Sequence, residues 1–547
     1  MGLVWVLVSM LAMASVRAQE LDPRVRLLED AAEYGYWAPQ IHELYVRVPL
    51  KVEPIGGDEQ FIPLGVTVDG KPVEYAYWYA GGTTLEYHMP VMHASELKIE
   101  VFIPVVWHAG ERHTVALRYA YGGKDGTQQV TFPTPNGGAW AEAIGGDYAF
   151  MVREEAGLAR EKELVEVDIT VPRATFPDPE HGIRATLMRA PGVFEEIPCQ
   201  VYDAEPFTHK DGRYAWANII RFRVAVQLSL PPKGQALVHL WSCPPREPAP
   251  GAVRLNGNAL GGTVENTDYT IKLDTQSGQL FTWYDKRLDM RFEYVDPRLE
   301  KNENAQVMHR TPDVYPYDPW SHAFDWRNPV NRTIAGPVFC ETLRWGDMPG
   351  VPQVFARVSY RFVAGRPEVR VASSMRVKVD LMVMGLRMGN LIFTPSLFTH
   401  AAWPRQDGTI VRVAVPDVLG NDMGAPPISR FPVNTPWVAF YNLKKKIGFA
   451  LMTVDYVYFS ESAEHPNQSR ATGYVSNYRN VSLYCIRSAT QTYCANVHTY
   501  ATPLSAGTIM YEDVAFLPFT FEAENDKQFL PIVQRLAELK HPLVVVP

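Results

Sequence analysis

The chain has 547 residues, a formal net charge of −8 and 20% charged residues, set against 44 prolines, 27 tyrosines, 24 phenylalanines and 13 tryptophans. That length suits two to four domains of about 100–200 residues, and the aromatic, proline-rich, charge-poor balance points to an all-β protein with many loops. The acidic balance argues against nucleic acid or an anionic membrane surface as partner, since both need a basic footprint, but it leaves room for a local basic groove that takes an acidic polymer.

The first element in chain order is a targeting segment. Residues 2–14 are an apolar run too short to span a bilayer with ordinary margins, and Val16-Arg17-Ala18 supplies a small-x-small cleavage signal. Residues 1–18 therefore read as a signal peptide cut before Gln19, with a secreted or periplasmic address. No Lys or Arg precedes the run, so a buried N-terminal strand is the alternative. No later segment is long and apolar enough to cross a membrane.

Charge and apolar spacing at 22–33 predict a short helix. From 42 to about 122, HELYVRVPL, EYAYWYA, ELKIEVFIP and HTVALRYAY alternate between Gly- and Asp-rich turns, the pattern of an Ig-like β-sandwich over residues 22–125. KELVEVDITV, ANIIRFRVAVQLSL and QALVHLW mark a second β-domain at 136–243. A Pro-rich hinge at 244–251 follows, because Pro at that density suits neither helix nor central strand. Residues 252–547 are nearly all strands and long loops, closed by an amphipathic helix at 524–539 that repeats Phe529, Ile532, Val533, Leu536 and Leu539.

Within this last domain, TDYTIKLD alternates through Tyr269, Ile271 and Leu273. Ser277-Gly278 supplies a turn, a second strand runs 279–284, Asp285-Lys286 breaks it, and a third strand resumes at Met290. The stretch VENTDYTIKLD…SGQLFTWYDKR resembles the entry into the C-terminal β-domain of family 38 type α-mannosidases, a supersandwich similar to galactose mutarotase and to sheet domains of polysaccharide lyases. The long hairpin ARVSYRFVAGRPEVRVASSMRVKVD at 356–380 continues the likeness. The resemblance implies N-terminal β-sandwich domains followed by a mutarotase-like antiparallel supersandwich and a short C-terminal helix. It does not imply mannosidase chemistry. Those enzymes carry metal and nucleophile in an α/β-barrel, and no strand–helix alternation occurs here.

Five cysteines are too few for a disulfide scaffold. Cys485 and Cys494 would face each other if Ala489-Thr490 formed a two-residue turn, and Cys199 and Cys243 could pair within the second domain, leaving Cys340 free. All five could equally be buried thiols.

GxSxG, HExxH, Walker and dinucleotide fingerprints are absent. The richest polar cluster is VYPYDPWSHAFDWRNP, where Tyr317, Trp320 and Trp326 could stack on sugar faces while His322, Asp325 and Arg327 bond hydroxyls or a carboxylate. The competing reading is an ordered loop whose rings cover a core edge. His400 closes an expected strand at 390–398, with Trp403 and Arg405 just beyond, and its ordinary pKa suits acid–base work. Asn477 and Tyr478 are the right types for a uronate lyase, but they also suit a plain half-exposed strand.

The leading expectation is β-elimination on a uronate-containing polysaccharide. In that scheme His322 or His400 acts as base, Tyr478 as acid, Arg327 or Asn477 neutralises the carboxylate, and Tyr317, Trp320, Asp325, Trp326, Trp403 and Arg405 bind substrate. The alternatives are a non-catalytic glycan-binding or surface module, and a glycoside hydrolase drawing two carboxylates from Asp318, Asp325, Glu341 and Glu461. The expected partner is a polysaccharide or oligosaccharide. No cofactor or metal site stands out, and loop oxygens leave room for a structural calcium.

Overall fold

The structure is a computed structural model. Between 25 and 133 it describes residues 25–27, 33–38, 43–52, 61–73, 75–79, 83–86, 89–92, 96–103, 112–121 and 123–133. Beyond these it describes 145–546 except 191–192, 208–218, 246–250, 294–307, 311, 316–320, 384, 418–430, 433–434, 460–471, 479–481 and 492–501. The expected signal segment lies outside the described residues.

Strands dominate throughout, and the all-β expectation holds. The N-terminal region forms two larger sheets and a two-stranded ribbon, Thr83–Glu86 with Met89–Met92. Strands Val25–Leu27, Glu43–Val52, Glu96–Ile103 and Tyr75–Tyr79 run side by side in one, and Lys124–Pro133, Arg112–Tyr121, Phe61–Val68 and Lys71–Val73 in the other. The helix expected at 22–33 is not formed over Val25–Leu27, which instead pairs antiparallel with Leu50–Val52. A partner strand from elsewhere in the chain outweighs the weak local preference for helix.

The middle domain is a sandwich. One sheet runs Val193–Ile197, Ile183–Ala190, Gln235–Ser242, Gly145–Arg153 and Val544–Val546; the other runs Arg160–Pro172, Ile219–Leu230 and Cys199–Phe207. Strict alternation in Arg160–Pro172 sends Val165, Val167 and Ile169 inward, where they meet Phe222, Val224, Phe150 and Val238. The strand at Val544–Val546 pairs with Met151–Arg153, so a segment from beyond the third domain completes this sheet. Cys199 is an unbridged thiol, which removes the Cys199–Cys243 pairing, and Cys340 is likewise free. The strand Ser482–Gln491 runs straight through Ala489 and Thr490, so the turn that would have set Cys485 opposite Cys494 is absent. Cys494 itself lies outside the described residues.

The third domain opens with the five-stranded meander Val253–Asn256, Thr263–Asn266, Tyr269–Leu273, Leu280–Asp285 and Met290–Phe292. Its turn is built as the sequence suggested. Asp274 Oδ2 accepts from the backbone of Gln276 and Ser277 at 3.0 and 2.7 Å, and Gly278 takes φ +69°. A Cβ on Gly278 would lie 2.3 Å from the Ala259 carbonyl and 2.4 Å from Arg344 Cδ, so glycine is required on both counts. The break at Asp285 is also physical. Its buried carboxylate takes the Arg287 and Leu288 amides and the Arg287 guanidinium.

The meander and a second five-stranded sheet, Ser321–His322, Asp313–Tyr315, Gly385–Phe393, Ser482–Gln491 and Thr472–Tyr478, share one core with a nine-stranded sheet. In spatial order that large sheet is Val330–Ala335, Phe339–Met348, Val351–Val363, Val369–Val377, Ile509–Thr520, Ile447–Phe459, Trp437–Asn442, His400–Pro404 and Ile410–Ala414. Edge-to-face rings fill the core, with Phe449 5.4 Å from Trp283 and 5.2 Å from Phe393.

The helix Leu530–Lys540 covers one end of the sheet's outer face, burying Ile532, Leu536 and Leu539 against Trp437, Tyr441 and Phe519. It begins later than expected because a 3₁₀ turn, Asp526–Phe529, capped by Asn525, occupies the first residues. Val533 is 47% exposed and not part of the buried stripe. Val533→Lys is therefore expected to change stability by less than about 0.5 kcal/mol in a denaturant titration.

Candidate functional site

The loop singled out in the sequence does gather polar groups. Asp313–Tyr315 and Ser321–His322 form a short hairpin on the strand Gly385–Phe393, and their register puts His322, Asp313 and Arg387 in one cross-strand row. His322 Nδ1 lies 3.4 Å and Arg387 Nη1 3.9 Å from the same Asp313 Oδ2, which is fully buried. Asp325 Oδ2 accepts the His322 amide at 3.2 Å and closes the following turn. A histidine beside a buried carboxylate is a candidate for proton transfer.

The neighbouring aromatic does something else. Trp326 is 4% exposed and its indole N–H donates to the Asp347 carbonyl at 2.8 Å, so its faces belong to the core and are not available for a sugar. Arg327 is exposed, and its Nη1 donates to the Trp326 carbonyl. Tyr317 and Trp320 lie outside the described residues.

The other expected members stand elsewhere. His400 begins the strand His400–Pro404 where the sequence suggested that it ends one. The strand Gly385–Phe393 stops earlier, and a 3₁₀ turn at Pro395–Leu397 intervenes. The His400 ring stacks on Tyr441 at 5.3 Å, and Nδ1 meets Thr399 Oγ1 at 3.0 Å. Trp403 is buried against Phe431, a correction to its expected stacking role, and Arg405 opens an exposed turn through Gly408.

Asn477 and Tyr478 occupy the end of Thr472–Tyr478 remote from the histidine row, because Thr472 pairs with Ser488 and Ser488 with Arg387. Six residues along that strand amount to roughly 20 Å, and four strand spacings across the sheet add roughly 19 Å. No tyrosine side chain bridges that gap. His322 and Tyr478 thus stand far apart on one sheet, and His400 belongs to a different sheet, the nine-stranded one.

A different cleft, missed in the sequence, lies on the outer face of the nine-stranded sheet beside the helix. It has a volume of about 450 Å³ and is lined by Arg357, Arg361, Arg370, Ser359, Ser374 and Tyr511 together with Glu341 and Asp513. The geometry follows from period two: Arg357, Ser359 and Arg361 point out while Val358 and Tyr360 point in, and their partners Ser374, Ala372 and Arg370 match them across the ladder.

Two of the arginines are neutralised. Arg361 bonds Glu341 at 2.6 Å and, from the middle domain, Glu166 at 2.5 Å; burial pulls its guanidinium down, but the two carboxylates outweigh that and hold it above the ordinary arginine value. Arg370 pairs with Asp513. Burial and then Asp513 push the Tyr511 phenol up, so at neutral pH it remains an O–H. Arg357 is exposed and makes no ion pair among the described residues. The signal in the sequence was arginine on the outward-facing positions of two consecutive strands, Arg357 and Arg361 on one and Arg370 on the next. Among the described residues no group of three or more His, Cys, Asp or Glu could hold a metal, and no helix is long and apolar enough to cross a membrane.

No family model matches the chain, and no curated protein matches it. Solved structures do. One in glycosyl hydrolase family 38 from Enterococcus faecalis is 10% identical, with a TM-score of 0.43 over 74% of this chain and 48% of its own. An α-mannosidase from E. faecalis V583 gives 10% identity and 0.44 over 73% and 46%, so this chain spans about half the length of either. A galactose mutarotase-like protein from Lactobacillus casei ATCC 334 is 9% identical, with a TM-score of 0.28 over 47% of this chain and 99% of its own. The chain is similar to both kinds of sheet protein, and no catalytic barrel occurs among its described residues.

Proposed function

We propose that the chain recognises an acidic carbohydrate on the outer face of its nine-stranded sheet, acting as a glycan-binding module exported through its N-terminal segment. The observation that carries this reading is the Arg357 guanidinium, which makes no ion pair among the described residues and stands beside the Ser359 and Ser374 positions in an open polar cleft. An arginine fork matches a carboxylate or sulfate in two parallel bonds, while serine and tyrosine hydroxyls suit sugar hydroxyls. The sequence likeness of 263–294 to sugar-associated sheet domains supports a carbohydrate in preference to another anion.

Calorimetric titration with matched neutral and uronate-containing oligosaccharides tests it. The acidic members should bind more tightly, with affinity falling as salt rises, and Arg357→Ala should weaken them about tenfold, in line with the 1.5–3 kcal/mol of a charge-assisted bond. Equal binding of neutral and acidic glycans, or an Arg357→Ala variant that binds like the parent, would sink the proposal.

A second reading rests on the His322–Asp313 pair, which is arranged for proton abstraction. It makes the protein a uronate lyase with His322 as base. New absorbance near 235 nm, roughly where unsaturated uronates absorb, that disappears in His322→Gln would favour it.

A further inference from the structure

We propose that a single halide-class anion is bound inside the third domain, between the buried side chains of Arg344 and Gln279. Arg344 projects inward from Phe339–Met348 and is fully buried. One of its nitrogens, Nη1, donates to Thr342 Oγ1 at 3.0 Å, and its guanidinium carbon lies 4.1 Å from the centre of the Tyr360 ring. The remaining Nε and Nη2 donors make no hydrogen bond of normal geometry among the described residues, and the guanidinium's polar neighbour there is the Tyr360 side chain. Gln279 is in the same position. Its Oε1 takes the Tyr360 hydroxyl, while its Nε2, also fully buried, meets no acceptor among the described residues. Three orphaned donor atoms therefore flank one tyrosine.

The charge balance points the same way. Burial lowers Arg344 only to about 10, so it is a cation at neutral pH. Its neighbours do not offset it: burial holds His309, 2.6 Å from the Tyr360 hydroxyl, neutral down to about 3, and raises Tyr360 to about 12. The buried carboxylate on the same inward face is Glu512, which the register Arg344–Val358–Ser373–Glu512 sets three strands away, roughly 14 Å between backbones. A buried charge without a counter-charge is expensive, and a water molecule would satisfy the donors without neutralising it. The crowding at Gly278, where even an added Cβ would come within 2.4 Å of Arg344 Cδ, favours a monatomic ion over a carboxylate or phosphate.

Thermal unfolding at constant ionic strength, with chloride exchanged for gluconate, reads out the ion. Above its dissociation constant each tenfold rise in chloride should favour the folded state by about tenfold, and bromide should act alike. Crystals grown in bromide should show an anomalous peak within hydrogen-bonding reach of Arg344 Nε and Nη2. Gln279→Glu supplies a built-in counter-charge and should abolish the halide dependence while leaving Arg344 in place. Melting that is identical in chloride and gluconate, an unchanged dependence in Gln279→Glu, or a site that scatters as water would each overturn the assignment.

Discussion

Arg535→Met is expected to destabilise the protein by about 3–5 kcal/mol, the usual effect of removing one partner from a buried ion cluster. Arg535, on the C-terminal helix, bonds Glu163 of the middle domain at 2.6 Å, Glu368 at 2.7 Å and Glu538 at 2.7 Å. All four side chains are buried, with Arg535 itself 8% exposed. Burial alone would lower the Arg535 pKa, but the surrounding carboxylates outweigh it and raise it; Glu368 is held below its usual range although burial would raise it. Met keeps helix propensity and most of the volume, so the loss reports the stranded carboxylates and not a broken helix. Arg535→Lys should recover only part of it, because one ammonium cannot reach three carboxylates in fixed directions. Urea unfolding measures both variants. A loss under about 1 kcal/mol in Arg535→Met would show that the carboxylates relax into solvent.

The second large effect is acid sensitivity through His309. Burial lowers its pKa to about 3, with Arg344 adding to the effect, against about 6.5 in an unfolded chain. The unfolded state therefore takes up a proton that the native state refuses. The stability contributed is fully present above about pH 6.5 and is lost as pH falls from there toward about 3. Between pH 6.5 and 4.5, before most carboxylates titrate, the loss should be on the order of 2–3 kcal/mol. Gln279, Tyr360 and the Phe516 ring at 5.5 Å also pack on His309, and none of these three titrates in that window. His309→Gln should flatten that share of the profile. If the stability difference between parent and variant is the same at pH 7 and pH 4.5, the histidine is not held neutral.

The sequence was most legible where structure is local. The meander from Tyr269 to Phe292 could be read because alternation, the Asp274 turn and Gly278 act within a few residues of one another. The failures involve distant partners. Val25–Leu27 looked helical until Leu50–Val52 claimed its backbone. Trp326 and Trp403 looked like sugar platforms because an aromatic ring reads the same whether it faces solvent or a core. The arginine cleft drew no attention because its charge pattern is assembled from Glu166, Glu341, Arg361, Arg370 and Asp513, on five different strands. His322 was chosen for its loop. Its carboxylate, Asp313, lies nine positions upstream and meets it only through the hairpin that folds between them.

The strand Val544–Val546 has a consequence for how the chain reaches this state. It completes a middle-domain sheet beside Gly145–Arg153, from roughly 390 residues further along. At about 5–20 residues per second, a ribosome needs roughly 20–80 s to travel that distance. For that interval the Gly145–Arg153 edge lacks this neighbour, and its free N–H and C=O groups can template pairing with another chain. The Met151–Arg153 part of that edge therefore stays open to mispairing while the third domain is being made.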